Sequence, residues 1–357
     1  MKTTSILSLL SVLVLSLLLS VSTVFAGGFE DGMALYEKEQ YSQAFPLIEK
    51  EAKRGNAEAQ RQLGKMYDLG QGINQDYKKA FEWYSKSAKN GNTRALYNLA
   101  ILYDDGLGVK KNAVEAVRLY TLAGEQGVVE AQYNLGRTYH DGTDIPQDYK
   151  KAFYWYHMAA EQGDREAQFV VGALYRLGKG TGQDFEKARY WYEKSAAQGY
   201  DKGEYGIGVL YHKGLGVKTD LAEAAKWYKK AAAKGNVDSM VLLGAIYSTG
   251  GAGLKQSWDE SFKWYSLAAE SGDKRQAALS LGIIYLNGYD RDIDNEKAKY
   301  WLTVATENGV TKANYWLGLM HQYGFGYPKD INKARECYQK ALDAGVKDAQ
   351  KKLNELK

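Results

Sequence analysis

Few residues of this chain could do chemistry. It has four histidines and one cysteine among 357 residues. His140 and His212 fall at the same point of a repeating pattern, two repeats apart. Helices pack about 8–10 Å apart, which sets those imidazoles on the order of 20 Å from each other. Zinc holds each ligand at about 2 Å, so they cannot share an ion. His157 shares its column with Ser85, Thr121, Glu193, Lys229, Ser266, Thr303 and Gln339, a solvent-facing set, and His321 replaces a packing tyrosine. Cys337 stands where other repeats place Trp or Leu, which reads as a buried, inert thiol rather than a nucleophile. One thiol cannot form an internal disulfide. The run Gly178-Lys179-Gly180-Thr181-Gly182 looks like a phosphate cradle, but it lacks the Walker spacing and other repeats also fill that loop with glycine. The sequence has no Gly-x-Ser-x-Gly elbow, and its carboxylates are scattered over polar positions. No catalytic, metal or cofactor residue is expected, and the chain reads as a non-enzyme.

The elements that carry these residues are set by a glycine that returns every 36 or 37 residues, from Gly55 through Gly91, Gly127, Gly163, Gly199, Gly235, Gly272 and Gly309 to Gly345. That period signals an array of helix pairs rather than one globular core. Four residues after each glycine comes a small residue (Ala59, Ala95, Ala131), then at further steps of four an aliphatic (Leu63, Leu99, Leu135) and a tyrosine (Tyr67, Tyr103, Tyr139). Steps of four share one helix face. This is helix A. Gly70, Gly106, Gly142, Gly178, Gly214, Gly250, Gly288 and Gly324 end it, because glycine adopts the left-handed conformation of a helix C-terminus. Asp76, Asp148, Asp184 and Asp220 are placed to cap helix B. Helix B carries a tryptophan column (Trp83, Trp155, Trp191, Trp227, Trp264, Trp301), then a tyrosine column (Tyr84, Tyr120, Tyr156, Tyr192, Tyr228, Tyr265), then alanines. The tryptophans are expected to seat over neighbouring alanines, and truncating a fully buried one should cost about 3–5 kcal/mol.

The stretch Ala131-Gln132-Tyr133-Asn134-Leu135-Gly136 through Tyr139, Asp148-Tyr149-Lys150-Lys151-Ala152, Trp155-Tyr156 and Ala159-Ala160-Glu161-Gln162-Gly163 resembles the Sel1-like repeat family, a relative of the tetratricopeptide repeats. The resemblance runs from about residue 55 to the C-terminus. Together with the periodicity it leads to an all-α fold, a right-handed α-solenoid of about nine helix-turn-helix repeats plus a C-terminal capping helix. The expected divisions are a signal peptide over 1–26, a divergent helix pair over 27–54, the array over 55–345 and the cap over 346–357. Many secreted members carry a cysteine pair in each repeat. This chain has none, so the β-lactam binding suggested for those members is not carried over.

Met1-Lys2, the apolar stretch Ile6–Leu19 and the small residue Ala26 form a secretory leader with cleavage expected after Ala26. The apolar run is short of the roughly 20 residues that span a bilayer, so no stable membrane span is expected after cleavage. The expected location is the periplasm of a bacterium or beyond. The net charge of +4 comes from interleaved charges of both signs, which argues against nucleic acid as a partner.

Function is expected on the face of helix A that turns away from helix B, three, six, ten and thirteen residues after each repeat glycine. In a solenoid such inner helices line a concave groove. The six position reads Arg61, Tyr97, Tyr133, Phe169, Tyr205, Val241, Leu279, Tyr315. A ring row there is either an interface, where tyrosine is common, or a set of rings partly buried against the next unit. Arg137 and Arg176 accompany the early rings, and Ile283 the later apolar stretch. The candidate partner-binding residues are thus Tyr97, Tyr133, Arg137, Phe169, Arg176, Tyr205, Val241, Leu279, Ile283 and Tyr315. A charged, aromatic first half beside an apolar second half suits an extended peptide or a protein partner. From the resemblance, envelope assembly or contact with host proteins in virulence is implied. The alternative is a peptidoglycan-binding or cell-wall enzyme accessory protein, since tyrosines also stack on sugars.

Overall fold

Most helices are started by a capping side chain, and a glycine stops helix A of the repeats. In the computed structural model, which describes residues 28–356, Asn56 accepts from the backbone N–H of Ala59 at 3.0 Å and opens a thirteen-residue helix that Gly70 closes at φ +68°. Asp76 then caps the following helix by accepting from Lys79 N–H, and Asp148, Asp184 and Asp220 do the same for theirs. The repeat glycines stand between one helix B and the next helix A, Gly55 at φ +96° and Gly163 at φ +98°, with nothing within 4 Å of where a Cβ would sit. They are there for the turn, not for space.

The helices form nine A–B pairs and a last helix: α1 (28–37) and α2 (Tyr41–Lys53), α3 (Ala57–Leu69) and α4 (Tyr77–Lys89), α5 (Thr93–Asp105) and α6 (Ala113–Glu125), α7 (Val129–Asp141) and α8 (Tyr149–Glu161), α9 (Arg165–Leu177) and α10 (Phe185–Ala197), α11 (Asp201–Lys213) and α12 (Leu221–Ala232), α13 (Val237–Thr249) and α14 (Trp258–Glu270), α15 (Gln276–Asn287) and α16 (Asn295–Glu307), α17 (Asn314–Tyr323) and α18 (Ile331–Asp343), then α19 (Asp348–Glu355). No strand occurs among the described residues. Within each unit successive helices pack on one another, as α3 on α4, α4 on α5, α11 on α12 and α12 on α13, the pattern of an α-solenoid. The chain divides into two compact units, one running through Ala167 with Lys179–Thr181, the other comprising Gln168–Gly178 and Gly182 onward. The expected leader lies outside the described residues. The two 37-residue steps are absorbed locally. One falls in the loop after α13, where Gly251 and Leu254 form a bridge. The other falls ahead of α15, where the Asp273 carboxylate accepts from Gln276 and Ala277 N–H at 3.2 and 3.1 Å.

The core departs from the expectation about tryptophan. Only Trp155 and Trp191 are buried. Trp83, Trp227, Trp264 and Trp301 stay half-exposed, and the Lys86 and Lys230 ammonium groups lie 4.1 and 3.8 Å from the Trp83 and Trp227 ring centroids. The deepest rings are the tyrosines next in sequence: Tyr84, Tyr120, Tyr192, Tyr228 and Tyr338 are at most 1% exposed. Their seat is a glycine in helix A, except for Tyr120, where Ala100 holds that position. A Cβ on Gly64 would stand 2.6 Å from the Tyr84 ring, on Gly208 2.5 Å from Tyr228, and on Gly318 2.6 Å from Tyr338. Gly136, Gly172 and Gly244 face Tyr156, Tyr192 and Tyr265 in the same way, and Gly282 faces Leu302. In those pairs the ring lies on bare backbone, in space that a Cβ could enter only by displacing it.

A second device joins successive units. The buried Gln132 donates to the Gly124 carbonyl at 2.8 Å and accepts from Gln162 Nε2 at 2.8 Å. Gln60 repeats this with the Ala52 carbonyl and Asn90. At the same point of a later repeat Lys234 reaches Glu204 at 2.8 Å. The glycine-rich loops are also packing features. The Cα of Gly108 lies against the Tyr77 backbone and that of Gly180 against Tyr149, so the Gly178–Gly182 run is a close-packed turn.

The ring-on-glycine contact gives a direct expectation. Gly208→Ala should lower the chemical-denaturation midpoint by an amount equivalent to about 1–3 kcal/mol, the usual range for overpacking, although alanine is the better helix former. Gly182→Ala, with nothing within 4 Å, should leave it unchanged. Equal midpoints for the two variants would show that the ring has room to spare.

Candidate functional site on the helix-A face

The face of helix A is built by what lies under it. In the first unit the ring of Tyr97 sits 6.0 Å from that of Tyr120, and Tyr133 sits 5.3 Å from Tyr156 in an edge contact. In the second unit Phe169 lies 5.7 Å from Tyr192, Tyr205 6.1 Å from Tyr228 and Tyr315 5.9 Å from Tyr338. Each ring is half-buried on the buried tyrosine of its own pair. The partial burial expected against the next unit is therefore mostly within the pair. From the next repeat, Asn134 Nδ2 donates to the Tyr97 hydroxyl at 3.4 Å, the Tyr133 hydroxyl donates to Glu166 at 3.3 Å, and the Tyr200 ring lies 6.1 Å from Phe169.

The remaining candidates divide by exposure. Arg137 is exposed. Val241 and Ile283 are half-buried, and Leu279, 8% exposed, belongs to the core around Leu302 and offers little to a ligand. Arg176 has a specific task, because its Nε donates to the Tyr192 hydroxyl at 3.2 Å. Sequence reasoning placed Arg176 on the face but missed this rule. The residue thirteen after the repeat glycine receives the hydroxyl of the buried tyrosine. Asp68 takes Tyr84 at 3.2 Å, His212 Nδ1 lies 3.2 Å from the Tyr228 hydroxyl, and Gln322 accepts from Tyr338 at 2.5 Å. The signal in the sequence is a constant spacing of sixteen residues, with a polar group at thirteen in most repeats.

Burial tunes these groups. It pushes the Asp68 and Asp104 carboxyls above the ordinary carboxylate range. It lowers His212, with Lys213 adding to the effect. The buried tyrosines are pushed up, Tyr84 and Tyr228 among them, chiefly by desolvation. Cys337 is half-buried and its thiol is raised by burial, so it is held as a neutral thiol. His321 stacks on Tyr327 with centroids 4.1 Å apart, and His157 lies 3.5 Å from Glu161. Among the described residues no three His, Cys, Asp or Glu side chains gather as a metal site.

Cavities open among the described A helices. The first unit has one of about 270 Å³ around Arg61, Lys65, Asp68, Arg94, Tyr97 and Glu130. The second unit has one of about 190 Å³ between Phe169 and Tyr205. It also has a wider one of about 810 Å³ where α13, α15 and α17 begin, bordered by Asp238, Val241, Arg275 and Lys312.

Known proteins match this repeat unit by unit. The Sel1 repeat pattern fits residues 57–92, 93–128, 129–164, 165–200, 201–236, 237–273, 275–310 and 311–346. The chain belongs to the Sel1 repeat family. Among solved Sel1-type structures it is similar to a protective antigen present in uropathogenic Escherichia coli strains displaying an SLR fold, with 29% identity and a TM-score of 0.84 over 93% of this chain and 71% of that one. A Sel1 repeat protein from Oxalobacter formigenes is 35% identical with a TM-score of 0.59, over 68% of this chain and 99% of that one. The DAP3-binding cell death enhancer 1 of Rattus norvegicus is 33% identical over 81 residues, which are 23% of this chain and 16% of that protein. A chitin synthase regulator of Malassezia restricta is 32% identical over 84 residues, only 6% of its length. Sel1 repeat architecture supports a role in protein–protein interaction.

The raised Asp68 carboxyl predicts a pH effect. A carboxyl with a folded pKa above its unfolded value holds its proton more tightly when folded. Its ionisation then opposes folding at neutral pH, and the opposition vanishes in acid, below the unfolded value. Asp68→Asn, which keeps an acceptor for Tyr84, should raise the melting temperature at pH 7 and leave it unchanged near about pH 3. Melts followed by circular dichroism check this. A lower melting temperature at pH 7, or the same gain at both pH values, contradicts it.

Proposed function

We propose that this chain is an exported, non-enzymatic Sel1 repeat scaffold that holds a protein or an extended peptide on its helix-A face. The observation that carries the proposal is the row of half-buried rings at Tyr97, Tyr133, Phe169, Tyr205 and Tyr315, each seated on a buried tyrosine. Rings fixed from below lose little freedom when a partner covers them, which is the condition for an aromatic anchor. Arg137, exposed beside Tyr133, and the later Val241 and Ile283 supply the charged and apolar surroundings a peptide needs.

Export rests on the sequence of the leader. No helix among the described residues is long and apolar enough to cross a membrane. The proposal places the mature protein in the periplasm or outside the cell. The likeness to a protective antigen of uropathogenic strains extends it to host proteins as partners in infection, beside envelope components.

Two measurements test the reading. N-terminal sequencing of the protein from the extracytoplasmic fraction should begin at Gly27, and a retained Met1 contradicts cleavage. Cross-linking in the source cell should capture a protein partner that is lost with Arg137→Glu and with Tyr97→Ala/Tyr133→Ala/Tyr205→Ala, with circular dichroism confirming that the variant is folded. Arg137 tests the surface without touching the core. Sedimentation with peptidoglycan that depends on the same tyrosines would favour the cell-wall reading, and turnover of muropeptides would overturn the non-enzymatic one.

A further inference from the structure

The cavity of about 190 Å³ in the second unit differs in charge from its counterpart in the first. Both lie at the same point of the repeat, between the six positions of successive A helices and over a buried tyrosine. In the first unit the cations Arg61, Lys65 and Arg94 share the cavity with Asp68 and Glu130, and Arg61 is already paired with Glu58. In the second unit Arg176, His212 and Lys213 line the cavity and no carboxylate does. Burial lowers the His212 pKa, so the charge there is that of Arg176 and Lys213, and two like charges in a partly enclosed space attract a counter-charge more strongly than they would in open water.

The donors there are arranged rather than loose. The Arg176 Nε bond to the Tyr192 hydroxyl fixes the guanidinium plane, and its terminal nitrogens have no partner among the described residues. Tyr192 accepts that bond, so its own proton is free to be donated. His212 Nδ1 is occupied at 3.2 Å by the Tyr228 hydroxyl. Phe169 and Tyr205 wall the cavity with apolar surface suited to methylene groups. Gly206 takes the place that Asn98 has in the first-unit cavity. A Cβ at Gly206 would stand 2.7 Å from the Tyr192 ring, so bare backbone there leaves that ring its place in the cavity wall.

We propose that this cavity receives the side-chain carboxylate of an acidic residue in an extended peptide, with Arg176 as the principal partner and the ring pair gripping the methylene stem. The inference rests on the reading of the helix-A face as a peptide-binding surface. A side chain rather than a chain end is the occupant because the face continues within the second unit through Val241 to Tyr315, so a peptide lying along it passes over the cavity.

The test uses the full mature chain and three fluorescent nonapeptide libraries: one with a fixed central Glu, one with Gln there, both amidated at the C-terminus, and the Gln set with a free C-terminal carboxylate. Anisotropy should show the Glu set binding about tenfold more tightly than the amidated Gln set, the scale of one charge-assisted pair. Arg176→Gln should abolish that preference while melting as the wild type does, since Gln322 already serves a buried tyrosine from the corresponding position. His212→Ser, the residue found at Ser248, should reduce it. Equal binding of the Glu and Gln sets overturns the inference and leaves the scaffold reading in place. So does a Glu preference that survives Arg176→Gln. Tighter binding of the free-carboxylate set than of the Glu set overturns the side-chain assignment. Failure of all three libraries to bind a folded protein overturns both the inference and the peptide-binding reading beneath it.

Discussion

The structure depends on one contact, a tyrosine ring of helix B laid flat on the backbone of a helix-A glycine. A ring at that depth needs a small or absent side chain opposite: Gly64, Gly136, Gly172, Gly208, Gly244 and Gly318 leave bare backbone there, and Ala100, opposite the equally buried Tyr120, is the largest residue in that column. The contact sets the spacing within a pair, and it also fixes where the tyrosine hydroxyl emerges. The hydroxyl is a polar group that burial would penalise without a partner. It finds one thirteen residues after the repeat glycine, as Asp68, Arg176, His212 or Gln322. The charge pattern of the helix-A face is thus partly the answer to a packing problem.

That coupling lets one tyrosine core carry surfaces of different charge. The scaffold requires only some polar group under each hydroxyl, and its sign is free to vary. Acid in the first unit and base in the second are equally compatible with the tyrosine core, so the surface can be tuned to a partner without disturbing the helices. The rings above the buried tyrosines follow the same logic. They are held by the core and still reach solvent, which is the condition under which aromatic side chains bind with little loss of freedom.

Much of this was legible in the residues. Periodic glycine gave the helix pairs, the αL glycines gave the helix ends, and Asp76, Asp148, Asp184 and Asp220 gave the caps, because each acts within a few residues of itself. The tryptophan column misled. It is larger and looks like a core, but a lysine three residues on, at Lys86 and Lys230, covers an outward ring. The tyrosine beside it is the deeper ring, and the clue was the glycine column in helix A, whose partner lies in another helix. Pairings across helices, such as Tyr228 with His212 or Gln132 with Gln162, have no local signature. They become visible only as constant spacings of sixteen and thirty residues once the helices are in place.

The most direct measurement is a double-mutant cycle on Gly136 and Tyr133, which both lie against the Tyr156 ring. Gly136→Ala displaces that ring, so Tyr133→Ala should then cost less than it does alone, with a coupling of about 0.5–3 kcal/mol in equilibrium unfolding. Strict additivity would mean that core glycine and surface ring are independent, and would contradict the account.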